Sequence, residues 1–149
     1  MDLVSAELPA KTLVVAVDPG KVFNRVLLAS GERGLIADPV SVPSGREGID
    51  RLCRMIEDAA APEEVVALEA TGSLHLAWAA ELERRFPGSL RLFAPSETTA
   101  ARSQLGSRRF KDDDRDCAAL VSLARQGRGR RLARGSTRRC STPSATVAG

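Results

Sequence analysis

The stretch TLVVAVDPGKVFNRVLLAS, residues 12–30, decides the fold. Its first seven residues are apolar and β-branched up to Asp18 and are closed by Pro19-Gly20, the pattern of a buried strand running into a turn. A second run, residues 22–30, restarts almost at once and is closed by GERG at 31–34, leaving no room for a crossover helix. The spacing therefore predicts an antiparallel hairpin. Outward from it, LIADPVSVP at 35–43 reads as a third strand, cut by Pro39. From Gly45 onward, Ile49, Leu52, Cys53 and Ile56 recur at i, i+3, i+4 and i+7, the apolar stripe of a helix that packs on the sheet.

Further along, EEVVALEA at 63–70 predicts a fourth strand, and SLHLAWAAELERRF at 73–86 a helix with Leu74, Trp78, Leu82 and Phe86 on one face. SLRLFAP at 89–95 alternates as a fifth strand. PSETTAARSQLGS at 95–107 reads as a helix, and a last helix runs from Lys111 to Gln126. Three strands followed by strand–helix crossovers describe an α/β domain with a mixed five-stranded sheet and helices on both faces. After Gln126 the apolar pattern stops, so the domain is assigned to residues 1–131 and residues 132–149 to a disordered tail.

A chain of 149 residues, 43% hydrophobic, buries enough surface for one domain and not for two. No run of about eighteen apolar residues and no basic-then-apolar start occurs, which argues against a membrane span or a secretory signal and for a cytoplasmic location. The three cysteines, Cys53, Cys117 and Cys140, lie far apart without CxxC spacing, suggesting neither a zinc site nor a disulfide framework. Every acidic residue lies at or before Asp116, and the seven arginines after it make the tail basic. Arginine predominance suits phosphate recognition, although a GC-rich coding bias produces it equally well.

Three acidic positions fall where a solvated charge does not belong. Asp18 and Glu69 end strands made otherwise of apolar residues, where a carboxylate is rarely buried without a partner. Each also suits a turn or helix cap. If the first and fourth strands are neighbours, both acids project from adjacent C-terminal strand ends, the edge at which open α/β sheets bind ligands. The third feature is KDDDRD at 111–116, whose charge favours a helix N-terminus by a few tenths of a kcal/mol per residue. On a wheel of about 100° per residue, Cys117, Leu120 and Val121 set an inward face with Asp113 on it, Asp114 and Asp116 on its flanks and Asp112 outward. Carboxylates converging without a buried base call for a cation, and all-oxygen ligands select Mg²⁺ or Mn²⁺ over zinc. Two such ions serve phosphodiester chemistry. His75 is assigned a packing or capping role, and Ser73, Ser96, Ser103 and Ser107 lack the neighbouring base a nucleophile needs.

The segments VDPGK, LEATGSLHLAW and RLFAPSETTAARSQLGSRRFKDDDRDCAAL, in this order and spacing, resemble the N-terminal RuvC-like DEDD domain of the IS-one-ten family of insertion-sequence transposases, recombinases guided by a bridge RNA. The likeness spans about Leu13 to Arg131. It implies an RNase H-like (RuvC-like) fold and a catalytic, metal-binding set of Asp18, Glu69, Asp113 and Asp116 holding two Mg²⁺ or Mn²⁺ ions. It further implies DNA transposition and recombination, with DNA and guide RNA as partners, a nucleoid-associated bacterial location, and assembly as a homo-oligomer or with intact transposase. Lys21, Arg102, Arg108, Arg109 and Lys111 are the expected nucleic-acid contacts. The family has a KTD triplet where this sequence has Lys111-Asp112-Asp113, adding one negative charge. Family members also continue into a second domain bearing a nucleophilic serine, so the expectation is a truncated transposase, inactive alone. Two rival readings stay open: a non-catalytic DNA- or RNA-binding remnant, and a lobe of the actin-like ATPase and sugar-kinase superfamily.

Overall fold

A computed structural model describes residues 11–31, 34–105 and 112–132, the side chains of Asp112 and Asp113 excepted. Strand β1 (Thr12–Asp18) pairs antiparallel with β2 (Phe23–Ser30), the predicted hairpin, with Asp18 opposite Arg25. β3 (Val40–Pro43) adds antiparallel to β2. Helix α1 (Arg46–Ala59) then carries the chain across to β4 (Glu63–Glu69), parallel to β1 on its other side. Helix α2 (Leu76–Arg85) leads to β5 (Leu90–Phe93), parallel to β4. Helices α3 (Pro95–Arg102) and α4 (Asp112–Arg125) complete the described elements. The sheet order is β3-β2-β1-β4-β5, with β2 alone running against the others.

Alternation along the strands divides the core between two sheet faces. Leu13, Val15, Val17, Val26, Leu28, Val66 and Leu68 meet Ile49, Leu52, Cys53 and Ile56 of α1 and Trp78 and Leu82 of α2. Val14, Ala16, Leu27, Ala29, Val65 and Ala67 meet Ala101 of α3 and Cys117, Leu120, Val121 and Ala124 of α4. Full burial of each Leu or Val contributes about 1.5–3 kcal/mol, so both helical layers are held by the central strands. The α1 stripe is the one its spacing predicts.

Several boundaries depart from the sequence reading, and α3, predicted over 95–107, ends at Arg102 with residues 103 and 104 in a turn. β3 begins only at Val40, because Pro39 has no N–H for the ladder; upstream, Leu35 makes just an isolated bridge to Ala29. α2 begins at Leu76 rather than at Ser73, and residues 72–75 form a turn. Helical periodicity does not extend into that turn, so Leu74 is exposed at 39% and His75 is buried, while Trp78, Ala79 and Leu82 carry the inward face. The Trp78 indole is anchored by donating Nε1–H to the Ser44 carbonyl at 2.7 Å. Beyond Gln126 the chain still engages the sheet. Arg130 exchanges two backbone hydrogen bonds with Leu92, at 2.7 and 3.0 Å, and Leu132 packs partly buried against the core. Leu132, expected to open the disordered tail of residues 132–149, is thus packed on the domain, and residues 133–149 lie outside the described residues. Among those residues, no helix is long and apolar enough to cross a membrane.

A candidate carboxylate site at the strand ends

Because β1 and β4 are parallel, with Val17 beside Leu68, their C-terminal residues Asp18 and Glu69 end up as neighbours. Strand alternation sets both on the face of Ala16 and Ala67, which is the face covered by α4. Asp116, near the start of α4, reaches the same place. Burial pushes the Asp18 carboxyl up to about 7, and the negative charges of Asp116 and then Glu69 push in the same direction, both groups standing close enough to share its proton. Glu69 is buried and accepts a 2.8 Å hydrogen bond from the Thr71 hydroxyl.

Three of the four acids singled out in the sequence thus converge. Asp113 lies in the first turn of α4, three residues before Asp116, and its side chain is outside the described set. Among the described residues, no three acidic, histidine or cysteine side chains already stand in a metal-binding arrangement.

Cations do reach this end of the sheet, contrary to expectation. Arg25 donates Nε–H to Asp114 Oδ1 at 2.7 Å, with Nη2 at 3.4 Å from Oδ2. Asp114 is therefore a buried, paired residue rather than a flanking one. A helical wheel cannot show this, because the pair depends on how far an arginine on β2 reaches over the sheet. Arg102, at the end of α3, places Nη1 3.2 Å from Asp116 Oδ1. Of the other expected nucleic-acid contacts, Lys21 is exposed on the β1–β2 turn, whereas Arg108, Arg109 and Lys111 lie outside the described residues.

Asn24 also escaped the sequence reading. It is buried, and its Oδ1 accepts the Gly20 N–H at 2.9 Å, fixing the turn that follows Asp18. The Gly20-to-Asn24 spacing was the only available signal. The Cys117 thiol is buried beneath the carboxylates and donates to the Arg25 carbonyl at 3.4 Å. Burial first, then the charges of Asp18 and Asp114, push its pKa far up, so it is inert packing, as its place on the apolar stripe predicts. His75 sits buried at the start of α2 without a side-chain capping bond, leaving the packing role.

A sheet ordered 3-2-1-4-5 with β2 reversed and helices on both faces is the RNase H-like topology, shared with actin-like domains. Among solved structures the chain is similar to the type II variant of the Aquifex aeolicus Ppx/GppA phosphatase, at 10% identity and a TM-score of 0.37. That likeness covers 63% of this chain and 41% of the other, so the chain spans about two-fifths of that structure. No protein-family model and no curated protein matches the sequence.

Proposed function

We propose that this domain is the RuvC-like catalytic domain of a DEDD transposase of the IS-one-ten type, working on DNA by metal-dependent phosphodiester chemistry. The observation that carries the reading is the convergence of Asp18, Glu69 and Asp116 on one sheet edge, with Asp113 one turn before Asp116. The donor set suits a hard divalent cation: the converging groups are all carboxylates, and burial together with the neighbouring charges of Asp116 and Glu69 raises the Asp18 pKa to about 7, a penalty that a bound cation would relieve. Asp18, Glu69, Asp113 and Asp116 would hold two Mg²⁺ or Mn²⁺ ions. Such ions, when bound, activate an attacking water or hydroxyl and stabilise a leaving oxygen.

The chain's own residues prepare this edge. Thr71 orients Glu69, and Arg102 restrains Asp116. Arg25 neutralises Asp114 and so keeps a further charge from adding to the cluster. DNA, a guide RNA and further protein copies are the partners that the family resemblance adds to the proposal. The Arg102–Asp116 pair favours one alternative, a nucleic-acid-binding domain without catalysis, in which the guanidinium takes the place of a metal.

Thermal unfolding with and without millimolar Mg²⁺ or Mn²⁺ separates the two. A cation at a hundred times its dissociation constant stabilises the fold by about 2.7 kcal/mol. The catalytic reading expects that gain in wild type and its loss in Asp18→Asn and Asp116→Asn. No gain in wild type, together with salt-sensitive DNA or RNA binding that ignores metal, overturns it in favour of the alternative.

A further inference from the structure

The turn between β1 and β2 exposes two large apolar side chains, Val22 at 66% and Phe23 at 58%. The backbone beneath them is fixed from several directions. Gly20 N–H bonds to Asn24 Oδ1 at 2.9 Å, Ser44 N–H to the Val22 carbonyl at 2.9 Å, and the Ser44 hydroxyl to the Lys21 carbonyl at 3.0 Å. Ser44 is itself tied to the core through the Trp78 indole. The turn is also tight, since a Cβ on Gly20 would lie 2.4 Å from the Phe23 carbonyl oxygen. Phe23 is therefore presented to solvent on ordered backbone rather than left on a loose loop.

Its placement relative to the carboxylates is set by register. Asp18 lies opposite Arg25, and Arg25 shares a sheet face with Phe23, two residues earlier on the same strand. Arg25 pairs with Asp114 of α4, so that face is the carboxylate face. An exposed ring thus borders the candidate site, with the exposed Lys21 two residues before it. An exposed ring and an exposed cation two residues apart along the chain, next to a site for phosphodiester chemistry, match a nucleic-acid strand: bases stack on rings irrespective of sequence while cations follow the phosphates.

We infer that Phe23, with Lys21 two residues before it, is a stacking platform for a base of the nucleic-acid strand whose backbone lies at the Asp18–Glu69–Asp116 edge. This rests on the phosphodiester reading of that edge. DNA and RNA share the chemistry, and the test distinguishes them. The stack positions the strand and breaks no bond.

The experiment is fluorescence anisotropy with short labelled single strands, DNA and RNA, each also in an abasic version with the same phosphate count, on the full chain in metal-free buffer. Wild type should bind at least one normal strand about tenfold more tightly than its abasic counterpart. Phe23→Ala should abolish that preference while binding the abasic strand as wild type does, and Phe23→Trp should restore it. Unchanged far-ultraviolet circular dichroism and melting temperature verify that Phe23→Ala is folded. Absence of a base preference in wild type, or equal losses on normal and abasic strands in Phe23→Ala, overturns the inference. So does a Phe23→Ala variant that dissociates a dimer in sedimentation with unaltered strand affinity, because the patch would then belong to a second copy of the chain. Failure of the phosphodiester reading appears separately, as the absence of metal stabilisation in wild type.

Discussion

Arg25 stands directly opposite Asp18 across the β1–β2 ladder, yet its guanidinium binds Asp114 of α4 at 2.7 Å. Its Nε and Nη2 both reach the Asp114 carboxylate, while Asp18 stands beside Glu69 and Asp116. One arginine thus docks the start of α4 onto the hairpin through Asp114, and a second, Arg102, pairs with Asp116 in the strand-end cluster.

That pairing has a measurable cost of removal. Arg25→Ala strands a mostly buried Asp114 carboxylate, and truncating one partner of a buried pair is far more damaging than replacing both. Because the guanidinium is about a third exposed, at 31%, the expected loss is discounted to about 2 kcal/mol. Urea midpoints should place Arg25→Met combined with Asp114→Asn closer to wild type than Arg25→Ala alone. A double variant less stable than the single one contradicts this.

The carboxylate cluster makes metal-free stability depend on pH in an unusual direction. The folded-state pKa of Asp18 lies near 7, above its ordinary 3.8, so between those values the folded chain holds a proton that the unfolded chain releases. The stabilisation is fully present below about pH 4 and is lost as pH rises through about 7. Between about pH 5 and pH 8 this group should remove on the order of 2–3 kcal/mol. Asp18→Asn should flatten that part of the slope, as read from urea unfolding in chelator. An identical slope in both proteins would show that Asp18 does not carry the proton.

Gly48 offers a test of the packing that holds β3 to α1. Alanine is the better helix former by about 1 kcal/mol, so propensity alone favours Gly48→Ala. Packing dominates: a Cβ at this position would lie 1.6 Å from the Pro43 carbonyl oxygen and 2.7 Å from its carbon. Backbone must shift, and a loss of about 3 kcal/mol is expected by thermal or urea unfolding. A variant as stable as wild type contradicts the close approach of α1 to the end of β3.

The fold was legible where patterns were long and singular. β1 and the α1 stripe announce themselves, because β-branched runs and i, i+3, i+4, i+7 spacing admit few alternatives. Leu74 misled because the turn before α2 is continuous in sequence with a helical pattern, and only tertiary packing selects His75 for burial. Asp18 and Glu69 were legible as misplaced charges at strand ends. The Arg25–Asp114 pair was not, since residues 89 positions apart meet only once the sheet order is fixed. Phe23 was hidden for a related reason: at the edge of an apolar run it looks like core, and the turn geometry exposes it.

If the strand-end carboxylates bind divalent cations as proposed, counting the bound ions is the most direct test. Electron paramagnetic resonance of free Mn²⁺, titrated with the full chain, should reveal saturable binding of about two ions, following two-metal carboxylate chemistry. Asp18→Asn should lose that binding while keeping its fold. Equal Mn²⁺ uptake by wild type and Asp18→Asn, or none by wild type, would contradict the account.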